Sequence, residues 1–161
     1  MDPECFRTTT IICAVVVFAP WAVFDLYCWY LVIDKKRRDA RPPMWTARVL
    51  ATLAWIGAVC ALVAFLRLVE SVQDNKAQDS PVTLHQRFED EVNHILPVFA
   101  VTLVIAIMLL ARQWPPTWRA QSFAWTFFAL STLPLLIVVL LQTASVATTL
   151  RESADADLIN L

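Results

Sequence analysis

Two ionisable residues fall inside stretches otherwise suited to hydrocarbon, and they are the first places to look for chemistry. Asp25 lies in the apolar run 9–33, and Arg48 lies near the start of the run 46–69. A charge at membrane depth is expensive, so an intramembrane acid or base is by default a functional hypothesis. The chemistry an aspartate offers there is proton or cation handling. Asp25 stands eight residues before the end of its run, about 12 Å along a helix. It shares a helical stripe with Ala14, Phe18, Trp21, Cys28 and Val32, which points it at other helices rather than at lipid. Arg48, a turn into the second run, is the expected partner, with the indole N–H groups of Trp55 or Trp125 as alternatives at similar depth. A buried ion pair or hydrogen bond that fixes the bundle is the favoured reading of Asp25, ahead of proton handling.

Other constellations carry less. His85 and Glu89 stand four residues apart, as do Asp90 and His94. The two histidines are nine residues apart, about 180° around a helix, so they cannot share an ion within it. A solvated acidic face is expected, and no metal. Cys13, Cys28 and Cys60 lie at different depths within apolar runs and only Cys5 lies outside them, with no Cys-x-x-Cys. Thiol–disulfide exchange across a membrane needs paired, outward-facing cysteines, so the three are read as small buried hydrophobes and Cys5 as a lone thiol. No phosphate loop, His-Glu-x-x-His or serine-nucleophile motif occurs. The chain is therefore expected to be no enzyme and to hold no cofactor; a bound lipid or pigment is left open. Nucleic-acid binding has no support.

The elements that would position Asp25 and Arg48 follow from composition. Of 161 residues 58% are hydrophobic and one is glycine. A soluble domain this small has too little interior to hide that much apolar surface. Four runs approach the roughly 20 residues that cross a bilayer: 9–33, 46–69, 95–111 and 121–146. Continuous runs of this length satisfy their backbone in lipid only as helices. The expectation is an all-α protein of four transmembrane helices in two hairpins. Orientation follows from the short loops. Lys35, Lys36, Arg37, Arg38, Arg41, Arg48, Arg112 and Arg119 cluster around two of them, against Asp34 and Asp39 alone. The acids concentrate in the N-terminus, the segment 70–94 and the tail 147–161. Both termini are thus expected outside, in the periplasm, with a bacterial cytoplasmic membrane favoured over a mitochondrial inner membrane.

Finer features attach to this frame. Ser80-Pro81 reads as a helix start. Leu84, Phe88, Val92 and Ile95 then follow at helical spacing, predicting a short amphipathic outer helix before the third span. Ala47, Ala51, Ala54, Ala58 and Ala61 form a small-residue seam on the second span, which lets helices approach closely in lipid. Pro20 and Pro134 should kink the first and fourth helices, with Ser131 and Thr132 near Pro134 to help satisfy the disturbed backbone. Trp45 and Trp118 suit the membrane interface. The inner loops resemble one another, Pro42-Pro43-Met44-Trp45 against Pro115-Pro116-Thr117-Trp118 at an offset of 73, so a duplicated hairpin stands beside two independent solutions to starting a helix. The functional expectation is a non-catalytic accessory subunit of a larger membrane complex, with membrane subunits and lipids as partners. The alternative is a small proton- or ion-coupled transporter or channel using Asp25.

Overall fold

The computed structural model describes residues 3–38, 45–75, 80–112 and 118–159. All of its elements are helical: α1 (Pro3–Arg38), α2 (Trp45–Asp74), α3 (Pro81–Arg112) and α4 (Trp118–Ile159). Each is long and apolar enough to cross a membrane. Every helix outruns the apolar stretch from which it was read, because hydrocarbon thickness limits the apolar run and not the helix.

The contacts show how the helices run. Phe18 meets Trp55 and Trp29 meets Trp45 across α1 and α2, while Trp21 meets Phe128 across α1 and α4. Gly57 lies beside Thr102 across α2 and α3, and Leu68 and Val72 share a cleft with Leu84. Numbers rise on one helix as they fall on its neighbour, so adjacent helices are antiparallel. The start of α1, the end of α2, the start of α3 and the end of α4 gather at one end of the bundle, called here the terminal end. Around the bundle α1 touches α2, α2 touches α3, α3 touches α4, and α4 returns to α1.

The neighbours differ in intimacy. The α2–α3 backbones approach most closely and the α1–α2 backbones least. Small residues explain the first. Ala51 and Ala58 of α2 and Ala106 of α3 are wholly buried, and a Cβ placed on Gly57 would sit 3.2 Å from the Thr102 methyl. Ala54 and Ala61 are buried as well, but Ala47 faces outward. Large rings explain the second, because Phe18, Trp29, Trp45 and Trp55 fill the space between α1 and α2.

The amphipathic helix expected before the third span is the first part of α3 itself. Ser80 caps it: its hydroxyl accepts from the Thr83 N–H at 3.4 Å, its carbonyl accepts from the Leu84 N–H at 3.1 Å, and Pro81 takes the first helical position. Leu84, Phe88 and Val92 are buried in one core with Leu68, Val69 and Val72 of α2, which carries the helix into the apolar run and through Pro97. Pro20 and Pro134 likewise lie inside unbroken helices. Pro134 frees the Leu130 carbonyl, but Ser131 and Thr132 donate to Phe128 and Ala129 instead. The tail expected after residue 146 continues as helix, with Leu150 in the core. Of the matching inner loops, residues 42–44 and 115–117 lie outside the described residues; Ala51 and Ala124, equivalent under the offset, are both wholly buried.

Candidate functional site

The antiparallel pairing of α1 and α2 brings Asp25 opposite Thr52. Asp25 lies on the buried stripe of α1 with Phe18, Trp21 and Cys28, and is 5% exposed. Thr52 Oγ1 donates to Asp25 Oδ2 at 2.8 Å, and Trp29 Nε1 donates to Thr52 Oγ1 at 2.9 Å. The hydroxyl thus accepts one bond and donates the next, forming a short relay from indole to carboxylate. The Trp29 ring is held edge-on by Trp45, with centroids 5.4 Å apart. Trp45, expected as an interface anchor, is itself partly exposed at this end of the bundle. The Trp118 side chain lies outside the described residues.

Arg48 stands one turn from Thr52 on α2 and is equally buried, at 5%. The charges of Arg48 and Asp25 attract one another, yet no ion pair joins them. Asp25 Oδ1, Arg48 Nε and Arg48 Nη1 are buried without a hydrogen-bond partner. Trp21 Nε1 and Trp55 Nε1 are in the same condition. Buried polar atoms without partners are uncommon in folded proteins and call for an explanation. Asp25 and Arg48 lie toward one end of this set and Trp21 and Trp55 about one to two turns further along α1 and α2, while His85 Nδ1, also without a partner, lies apart on α3.

Toward the terminal end, rings close over Asp25 and Arg48. Trp21 is wholly buried, 5.9 Å from Phe18 and 5.1 Å from Phe128, both edge-to-face. Phe18 also meets Trp55 at 6.3 Å. Leu135 and Val139 continue the seal along α4. Beyond it lies a second interior polar contact, where Thr10 donates to Gln142 Oε1 at 3.0 Å. Thr10 and Asp25 are fifteen residues apart on α1, about 22 Å along the axis. Among the described residues, the buried side chains in that interval are apolar except for Thr132, whose hydroxyl turns back onto its own helix, and for the Trp21 indole N–H.

The remaining candidates stay apart from this cluster. Trp125 is 41% exposed and so is no partner for Asp25. All four cysteines are free; Cys28 is buried, but Cys60, read as buried, faces outward, as does Cys5. His85 Nε2 lies 3.9 Å from Glu89 Oε2. His94 Nδ1 approaches the backbone carbonyl of Asp90 at 2.6 Å, not its carboxylate. No group able to hold a metal occurs among the described residues.

Sequence reasoning named Asp25 and Arg48 but passed over Thr52 and Trp29 as bonding partners. The available signal was spacing: Trp29 follows Asp25 by one turn, and Thr52 follows Arg48 by one turn. Compared with protein-family models, curated proteins and solved structures, the chain matches none.

Proposed function

We propose that the chain is a non-catalytic accessory subunit of a larger membrane assembly, stabilising or positioning neighbouring subunits through its helix surfaces. The observation that carries this reading is the sealed interval between the polar cluster and the terminal end. A bundle whose interior is packed with Trp21, Phe128, Leu135 and Val139 offers no polar route across, so its working surfaces are the outer ones. Those surfaces include the stacked pair Phe123 and Phe127 on the outside of α4, with centroids 6.3 Å apart and planes at 17°. Aromatic surface of this kind suits packing against another membrane helix. The basic residues of the short loops support an orientation with both termini outside, and we favour a bacterial cytoplasmic membrane over a mitochondrial inner membrane for it.

The test is extraction from the native membrane in mild detergent, followed by the mass of the particle and the identity of co-migrating chains. Stoichiometric co-migration with larger subunits supports the reading and names the process through its partners. Migration alone, or as a small homo-oligomer, overturns it.

A second reading rests on one observation, the unpartnered Asp25 Oδ1 beside the unpartnered Arg48 nitrogens. An intramembrane acid left open on one side is what a proton- or ion-coupled carrier uses. Under that reading, Asp25→Asn abolishes transport and leaves assembly intact; under the subunit reading, it is silent or weakens assembly.

A further inference from the structure

Two clefts flank the last turns of α2 at the terminal end. One, of about 530 Å³, lies against α1; the other, of about 250 Å³, lies against α3. Arg67, Ser71 and Asn75 line both, so they stand on one face of α2 between the clefts. Arg67 comes two residues before the end of the second apolar run, which sets this face at the boundary between hydrocarbon and water.

The charges around it are mostly satisfied within the protein. Arg7 reaches Glu70 at 3.2 Å, and Arg87 reaches Glu91 at 3.2 Å. Two remain. Arg67 and Asp74 are exposed and have no ion-pair or hydrogen-bond partner among the described residues. They lie on the same side of α2, seven residues apart, about 10 Å along the axis. A guanidinium at the edge of hydrocarbon extends toward water, here toward Asp74, which shortens that gap. Beneath them, Ile11, Val63 and Leu66 give the larger cleft an apolar wall.

One unpaired cation at the boundary, one unpaired acid on its aqueous side, and an apolar wall below match a single kind of membrane component. We infer that this face of α2 binds the headgroup of a zwitterionic phospholipid carrying a primary ammonium. The phosphate sits on Arg67, one turn from the Ser71 hydroxyl, which accepts from the Asn75 amide at 3.4 Å and keeps its own hydrogen to donate. The ammonium donates to Asp74, and the acyl chains lie along the apolar wall. Snorkelling alone accounts for Arg67 but not for the matched free acid. An anionic headgroup would set its charge beside Asp74 and Glu70. A quaternary ammonium has no N–H to give.

The test uses the purified full-length chain in mild detergent, titrated with dioleoyl phosphatidylethanolamine, phosphatidylglycerol and phosphatidylcholine, and reads bound lipid by native mass spectrometry. The expected result is binding of phosphatidylethanolamine about fivefold tighter than phosphatidylglycerol, as for one charge at a membrane surface, and about fivefold tighter than phosphatidylcholine, which keeps the charge but cannot donate a hydrogen bond to Asp74. Asp74→Asn should erase that preference by weakening phosphatidylethanolamine and strengthening phosphatidylglycerol. Arg67→Gln should weaken all three about fivefold, and Arg67→Lys should restore much of the loss. Helical circular dichroism unchanged from the parent shows that each variant is folded. Equal binding of the three lipids by the parent chain, or a preference that survives Asp74→Asn in folded protein, overturns the inference.

Discussion

Thr52→Val isolates the relay that holds α1 to α2. The substitution keeps the side-chain shape and removes one oxygen that serves two bonds, to Asp25 at 2.8 Å and from Trp29 at 2.9 Å. Interhelical hydrogen bonds in membranes are worth roughly 0.6 kcal/mol on average and at most about 1.7. Two such bonds put the loss at about 1–3 kcal/mol. Asp25 contributes to the upper part of that range, because its Oδ1 is already unpartnered and the substitution leaves the carboxylate without a donor. Stability against denaturing detergent in mixed micelles gives the assay. Thr52→Ser retains the oxygen and should cost less than half as much as Thr52→Val. A double-mutant cycle with Asp25→Ala should return a coupling of about 1 kcal/mol, since the remaining part of the loss belongs to Trp29. A Thr52→Val protein within about 0.5 kcal/mol of the parent, or a Thr52→Ser protein as unstable as Thr52→Val, would refute the relay as a source of stability.

Other expectations concern the seams and the ends. Gly57→Leu should destabilise by about 1–3 kcal/mol through overpacking, although leucine is the better helix former, because a first carbon there already meets Thr102 at 3.2 Å; a stabilised variant would show that α3 can retreat. Arg7→Gln should cost less than about 1 kcal/mol, since both partners of the Arg7–Glu70 pair are about half exposed, and a larger loss in the same detergent assay would mean the pair locks α1. A membrane-impermeant maleimide added to intact bacterial cells producing the chain should label Cys5, which is exposed near the terminal end, and should leave Cys28 unlabelled until the chain is unfolded. Protection of Cys5 until the cells are opened would reverse the orientation derived from the basic loops.

The helices were legible because hydrocarbon imposes a length and forbids an unsatisfied backbone, so runs such as 46–69 admit one conformation. Their ends were less so. Residues 81–94 carry a stripe of Leu84, Phe88 and Val92 that could lie on a membrane surface or stand against another helix. Sequence periodicity is the same in both cases. The burial of that stripe against Leu68 and Val72 decides it, and depends on α2 continuing past its apolar run. The site was legible in part for a similar reason. Asp25 shares an angular position with Trp21 and Cys28, so its burial follows from geometry, and Arg48 is the nearest opposite charge. The bonding partner was Thr52 because direction matters at this range. A hydroxyl within a hydrophobic run contributes almost nothing to a pattern, and only the facing of two antiparallel helices shows that it lies within reach of the carboxylate.

The packing of α1 gives these readings a common physical root. α2 meets α3 where Gly57 faces Thr102, and little can shift there without overlap. α1 is held to α2 by rings, by one hydroxyl and by the half-exposed Arg7–Glu70 pair at the terminal end, its backbone standing further off. Any rearrangement that opened the interior would therefore move α1 and leave α2 and α3 together. Such a movement must draw Trp21 away from Phe128, both wholly buried at present, and separate the Thr10–Gln142 contact. Rings gain little from burial against lipid rather than protein, so much of the cost would be lost packing and hydrogen bonds. A carrier would have to recover that cost on every cycle through whatever Asp25 and Arg48 bind. A subunit needs no such movement, and a neighbouring helix laid along α1 would oppose it.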